Sequence, residues 1–231
     1  MSAQALWSGP MLKVDAYATP AKLKLPRQLR VGAIVALFIA AFFAVYAMLK
    51  VPQVPELASA GAQTTADMLA QWKQGHVIVL VRHVERCDHS SAPCLDRADG
   101  ITARAKEVAQ SIGQSFVRLG VTDSDIYTSP LTRTEQTAGF MFNKAVASQS
   151  WLAECRNGML ENALKHKVRQ RNLVLVTHSE CFDQMEKELG VHSPLTPAYG
   201  SALMIASGEV DGAAHILGSV NEQEWSKVLA N

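Results

Sequence analysis

Apolar residues fall into two patterns along this chain. Residues 77–81 (Val-Ile-Val-Leu-Val) and 173–176 (Leu-Val-Leu-Val) are unbroken apolar runs, as expected of strands buried on both faces. Between them Ala105, Val108, Ala109, Ile112, Phe116 and Leu119 return every three or four positions, with Gly120 next. That spacing predicts an amphipathic helix over 102–119 with a glycine stop. Weaker signals complete the series. Helices are expected over 65–74, 161–170 and 181–189, and from Ser129-Pro130, a capping hydroxyl and a first-turn proline, to 142. Strands are expected over 125–128, near 150–152, and over 201–207 and 215–220, with a short helix last. Alternating strands and helices predict an α/β fold, a three-layer sandwich around a mostly parallel central sheet.

One segment has neither pattern. Residues 31–49 (VGAIVALFIAAFFAVYAML) are 19 positions without a charge, the length needed to cross a bilayer core as a helix. A helix apolar on every face suits lipid better than a surface. The chain is therefore divided into a cytoplasmic N-terminal segment (1–30), a transmembrane signal anchor (31–49), a linker (50–65) and a globular domain (66–231). Lys13, Lys22, Lys24, Arg27 and Arg30 precede the apolar run, so the N-terminus stays inside and the domain faces the periplasm of a bacterial inner membrane. Ala58-Ser59-Ala60 has the small-x-small look of a signal peptidase site, and a soluble periplasmic domain after cleavage is the alternative.

Charge sharpens this division. The chain carries a formal +1, but six of its 22 Lys/Arg and one of its 21 Asp/Glu lie in the first 50 residues. The remainder, with sixteen basic and twenty acidic side chains, has no broad basic surface, so nucleic acid is not an expected partner. Four cysteines, Cys87, Cys94, Cys155 and Cys181, are an even count for an oxidising compartment, and disulfides are expected. Cys87–Cys94 would close a short loop and Cys155–Cys181 would tie two later segments together. No C-x2-C spacing suggests zinc.

Chemistry enters where the apolar runs stop. The first run ends in Arg82-His83-Val-Glu85-Arg86, the second in Thr177-His178, and Arg133 falls in the first turn of the helix after Ser129-Pro130. Open α/β sheets bind ligands at the carboxyl ends of their strands. Three arginines and two histidines there suit a phosphate dianion, which guanidinium forks grip bidentately. Cysteine-phosphatase chemistry is excluded, because the residues six beyond the cysteines are Pro93, Gly100, Glu161 and Lys187 and not arginine. His76, His166, His192 and His215 read as solvated or satisfied histidines, and the basic run 165–171 as a solvated helix end.

These residues resemble a known family. Arg82-His83-x-Glu85-Arg86, then Ser129-Pro130-Leu131-Thr-Arg133-Thr-Glu-Gln136-Thr137-Ala138, then Val176-Thr177-His178-Ser179 are similar to the motifs of the histidine phosphatase (phosphoglycerate-mutase-like) superfamily. The segment Arg82 to Thr102, with Cys87, Asp88 and Cys94, resembles its periplasmic lipopolysaccharide core heptose(II)-phosphate phosphatase branch. The resemblance implies a phosphomonoesterase in which His83 is the nucleophile and Arg82, Arg86, Arg133 and His178 line the phosphate pocket. It implies neither a metal nor another cofactor. The expected substrate is a phosphorylated sugar or glycolipid. A phosphohistidine or phosphoprotein phosphatase and a non-catalytic phosphate-binding module are the alternatives. Glu154, in Leu152-x-Glu154-x-x-x-Gly158, resembles the segment that carries the proton donor in the mutase branch and is the first choice. Glu180 and Glu85 stay open. Little chain separates Glu154 from His178, which leaves no room for a large lid.

Overall fold

The computed structural model describes residues 26–49, 53–156, 158–191, 196–209 and 212–230. Residues 1–25 of the expected cytoplasmic segment, together with Lys50 and His192, lie outside the described residues. The chain divides into two units, Met1–Lys50 and Val51–Asn231. In the first, helix α1 (Arg27–Leu49) has 23 residues, about 35 Å of rise. Its described large hydrophobic side chains, Leu29 to Tyr46, are all exposed. Over the described residues alone no helix is long and apolar enough to cross a membrane. The side chains at 30, 44 and 47–49 are outside that description, whereas in the sequence residues 31–49 are uncharged throughout.

The second unit runs α2 (Ala62–Lys73), β1 (Val77–Arg82), α3 (Ala105–Leu119), β2 (Ser124–Thr128), α4 (Thr132–Phe142), β3 (Ala147–Ser148), α5 (Met159–His166), β4 (Asn172–Thr177), α6 (Ser179–Glu188), β5 (Ala202–Ala206), β6 (His215–Val220) and α7 (Trp225–Val228). The six strands form one sheet in the order β3-β2-β4-β1-β5-β6. Pairs β3/β2, β2/β4 and β4/β1 are parallel, and β1/β5 and β5/β6 antiparallel. The sheet is thus mixed. Its parallel half is the one built through helices, while β5 and β6 follow each other through a short turn, which permits only antiparallel pairing.

The two apolar runs are buried on both faces, as their composition requires. Val77, Val79 and Val81 of β1 face a core with α2, α3, α4 and α7, including Trp72, Phe116 and Trp225. Ile78 and Leu80 face a second core with Met159 of α5 and Phe182 and Met185 of α6. Helices on both faces give three layers.

Local departures from the sequence pattern have local causes. Residues 150–152 form a single 3-10 turn closed by the Ala153 amide on the Ser150 carbonyl (2.9 Å), and the strand lies just before it, at β3. Helix α5 stops at His166, because Lys167 takes extended backbone and its Nζ is drawn to Glu209 Oε1 (2.5 Å). Gln170 is left-handed at φ 58°. A tertiary ion pair here overrides helix propensity, and Lys167, expected as part of a solvated run, is almost wholly buried. The N-cap of α4 is Leu131 and carries no side-chain cap bond, so Ser129 has a different partner.

Disulfides join Cys87 to Cys94 and Cys155 to Cys181, with Cα–Cα distances of 5.1 and 5.0 Å, inside the range such bonds span. The first staples the loop after β1, and Gln136 ties that loop to α4 by accepting from the Ile101 amide (2.9 Å) and donating to Asp96 (2.5 Å).

Helices α3 and α4 approach closely at Gly113. A Cβ there would lie 1.9 Å from the Met141 carbonyl oxygen, so a methyl group must push the helices apart. Gly113→Ala gains about 1 kcal/mol of helix propensity, but overpacking of a dense core costs about 1–3 kcal/mol, and at that separation the cost is taken from the upper end. The substitution is therefore expected to lower the thermal unfolding midpoint of the full chain. A midpoint equal to or above that of the parent chain would show that the helices do not meet there.

Candidate active site

The site begins with strand register. Arg82 pairs with Thr177 across the parallel β1/β4 ladder, so the next residue on each strand, His83 and His178, emerges at the same level. Their ring centroids are 5.4 Å apart. Both are buried, at 3% and 5% exposure. Strand β2 ends one step away, with the Ser129 amide bonded to the Val176 carbonyl (3.0 Å). Its hydroxyl lies 2.9 Å from His178 Nε2. Ser129, read from sequence as a helix cap, instead holds the second histidine.

His83 Nδ1 is 2.8 Å from the Val84 carbonyl. A carbonyl only accepts, so Nδ1 carries the proton and Nε2 keeps its lone pair. Burial pushes the His83 pKa down to about 3, against the pull of that carbonyl, and the positive potential of His178, Arg133 and Arg82 lowers it further. Burial and then Arg133 push His178 down to about 4. Both rings are neutral at ordinary pH, and His83 presents a free imidazole nitrogen.

Arg82, Arg86 and Arg133 all act on His178 through their charge, and Arg82 and Arg133 act on His83 as well. Arg82 donates Nη1 to the Pro197 carbonyl, and its Cζ sits 4.2 Å from the Tyr199 ring centroid. The Tyr199 ring also lies 5.5 Å from that of His83. Because β5 runs antiparallel to β1, it starts where β1 ends (Val81 against Ala202), and its feeding segment is delivered to this edge. Gly200, left-handed at φ 72°, donates its amide to the His83 carbonyl (3.3 Å). Arg86 forms a fork on Asp88, with Nε and Nη2 donating to the two carboxylate oxygens at 2.6 and 2.5 Å. Burial lowers the pKa of Arg82 and of Arg133, the latter also through the charge of Arg86. Guanidinium stays charged through such shifts. Among the described residues, three buried polar nitrogens here, Arg82 Nε, Arg133 Nε and His178 Nδ1, have no hydrogen-bond partner. Buried polar groups of this kind are costly unless a ligand answers them.

The candidate acids separate clearly. Glu154 is exposed and makes no hydrogen bond or ion pair with His83, His178 or the three arginines. Glu85 is committed to a brace, accepting from Arg104 (2.7 and 2.5 Å), Thr102 (2.8 Å) and Ser90 (3.0 Å), and the Arg104 bonds bring its pKa down to about 2. Glu180, in the first turn of α6, is also exposed but lies within the electrostatic reach of His178 and Arg82. Burial pushes its carboxyl up, but its own amide, the Ser179 hydroxyl (3.2 Å), His178 and Arg82 outweigh this and hold it below the usual range. Tyr199 was not anticipated, since an aromatic residue in a loop before a strand carries no periodic signal. Among the other histidines, His166 bonds the Asn162 carbonyl (2.8 Å) and His76 lies 3.7 Å from Glu209.

Paired neutral histidines within a ring of arginines, at the carboxyl edge of an α/β sheet, form a site of the histidine phosphatase class. Comparison with known proteins agrees. The chain is 33% identical over 137 residues to the lipopolysaccharide core heptose(II)-phosphate phosphatase of Salmonella choleraesuis, covering 58% of this chain and 67% of the relative. It is 35% identical over 124 residues to the protein of that name in Escherichia coli K12, covering 52% of this chain. This chain therefore belongs to the family of the lipopolysaccharide core heptose(II)-phosphate phosphatases. The matched region spans 62% of the length of the E. coli relatives. No family model matches the chain. Among solved structures, Entamoeba histolytica phosphoserine phosphatase aligns at 13% identity over 64% of this chain and 98% of its own, with a TM-score of 0.49.

The depressed histidine pKa values have a measurable consequence. An unfolded His titrates near 6.5, and His83 folded titrates at about 3. Between those values the unfolded chain binds more protons, so this contribution to stability is complete above about pH 6.5 and is lost as pH falls toward 3. Nitrogen NMR of the histidine rings should show His83 and His178 neutral at pH 5, with the unfolding midpoint dropping below pH 6.5. A native-state His83 midpoint near 6.5 would show that the ring is not desolvated.

Proposed function

We propose that this chain is a phosphomonoesterase that removes phosphate from lipopolysaccharide core heptose through a phosphohistidine intermediate. The observation that carries the chemistry is a buried, neutral His83, its Nε2 free, within the positive potential of Arg82 and Arg133. The substrate is taken from the relatives, which bear that name.

In the first step His83 Nε2 attacks phosphorus as the bond from phosphorus to the sugar oxygen breaks, and that oxygen takes a proton. Arg82, Arg86 and Arg133 hold the equatorial oxygens, with His178 Nδ1 as a further donor, and spread the charge of the transferring group. In the second step water attacks phosphorus, the P–N bond breaks, and phosphate leaves with His83 neutral again. The proton donor and later acceptor is Glu180 rather than Glu154, since Glu180 shares the electrostatic field of His178 and Arg82. Bound phosphate cancels the positive potential that keeps this carboxyl acidic, so its pKa rises when a proton is needed.

The domain is placed in the periplasm, held to the inner membrane by a single pass through residues 31–49. The uncharged length of that segment, the basic residues before it and two disulfides support this placement. A phosphohistidine or phosphoprotein substrate is the alternative for the same pocket.

Three substitutions in the full chain test the mechanism. His83→Ala should lower turnover of a phosphate ester by on the order of 10⁴-fold or more and abolish acid-quenched phosphoenzyme. Equal turnover would sink the nucleophile. Glu180→Gln should slow release from a sugar phosphate by about 10²- to 10⁴-fold, and much less from p-nitrophenyl phosphate, whose leaving group needs no proton. Glu154→Gln should leave both rates within a few fold of the parent, and the reverse ranking would return the role to Glu154.

A further inference from the structure

Beside the phosphate pocket lies a groove of about 860 Å³ that the mechanism does not use. Its walls include Glu85, Arg104, Tyr199, Asn221, Glu222 and Gln223. Tyr199 belongs to both spaces, since its ring packs against Arg82 and His83. A substrate whose phosphate meets His83 therefore has this groove within reach of its leaving group.

We infer that the groove is a saccharide subsite, which holds neutral sugar residues flanking the phosphorylated one. This rests on the phosphatase reading above and adds a binding determinant to it. The size falls within that of clefts that enclose whole small ligands, well beyond the needs of a phosphoryl group. Its chemistry favours polyols. Carboxylates and amide oxygens accept from hydroxyls, while guanidinium and amide nitrogens donate to them, and the tyrosine ring offers an apolar face. Glu85 and Arg104 neutralise each other, and Glu224, another wall residue, is engaged by Asn221 at 3.1 Å and by Lys227 at 3.6 Å. Among the described residues the side chains of Glu222 and Gln223 have no hydrogen-bond partner, so both are available to a ligand. The surplus carboxylate of Glu222 disfavours anionic groups in the groove, whereas the arginines a few ångströms away attract them. The surface thus sorts a ligand into a phosphate end and a neutral, hydroxyl-rich end.

Binding can be measured apart from turnover. Full-length protein in detergent is titrated calorimetrically with phosphate-free core oligosaccharide. The parent chain should saturate, and Glu222→Ala/Gln223→Ala should weaken binding about tenfold, the loss of two hydrogen bonds. The same variant should keep kcat/KM for p-nitrophenyl phosphate within about twofold, while KM for phosphorylated oligosaccharide rises about tenfold and kcat holds. If the double variant does not fold, Gln223→Ala, at an exposed position, should give about a threefold weakening alone. Absence of saturation by the parent up to about 10 mM, equal binding by the variants, or stronger dependence on Glu222 and Gln223 for a phosphopeptide than for the saccharide would overturn the inference. His83→Ala separates the two proposals, because it ends turnover and should leave the saccharide titration intact.

Discussion

Parallel pairing of β1 with β4, in the one register that sets Arg82 against Thr177, is the constraint on which the site depends. Strands apolar on both faces specify register poorly, because a slip of one residue still buries apolar side chains. A slip here would carry His83 away from His178. What pins the ladder is a polar group at its other end. Asn172, the buried first residue of β4, accepts from the Val77 amide (3.0 Å) and donates to the Trp72 carbonyl (2.8 Å). A slip of β1 against β4 breaks the first bond and leaves the buried Val77 amide unanswered. One side chain at the base of the sheet thus indexes two histidines at its top.

The same edge gathers cations that repel one another, and the site offsets them with its own anions. Asp88 occupies the fork of Arg86, and Glu180 lies within the field of Arg82, His178 and Arg133. The histidines add no charge, because burial keeps them neutral. An incoming phosphate therefore exchanges with carboxylates rather than adding to a bare cluster. Full engagement of Arg86 requires Asp88 to share or release the guanidinium.

Much of this was legible in the residues. The two apolar runs, the amphipathic period of α3 and the alternation of elements marked a layered α/β fold, and the charged residues that end the runs marked the site. Periodicity could not show that β5 runs against β1, since strand direction leaves no mark on the apolar pattern. It could not foresee Lys167 leaving a helix for Glu209, a partner 42 positions away. Ser129 looked like a cap because Ser-Pro ahead of a helix is a local signal, whereas its bond to His178 is tertiary. Glu154 was preferred to Glu180 on motif resemblance alone. The charges of His178 and Arg82, which reach Glu180, are a tertiary feature.

Glu85 shows how a residue inside a catalytic motif can serve the site without touching substrate. Its carboxylate accepts from three side chains of the loop that follows β1, Ser90, Thr102 and Arg104, and that loop carries the Cys87–Cys94 bond. The loop in turn fixes Arg86 through the bridge between Arg86 and Ile101, and reaches α4 through Gln136. His83 and the two arginines near it in sequence thus stand on different supports. His83 and Arg82 rest on the sheet, and Arg86 rests on a stapled loop. Arg86 is also the member whose guanidinium is held by a carboxylate of that same loop, Asp88.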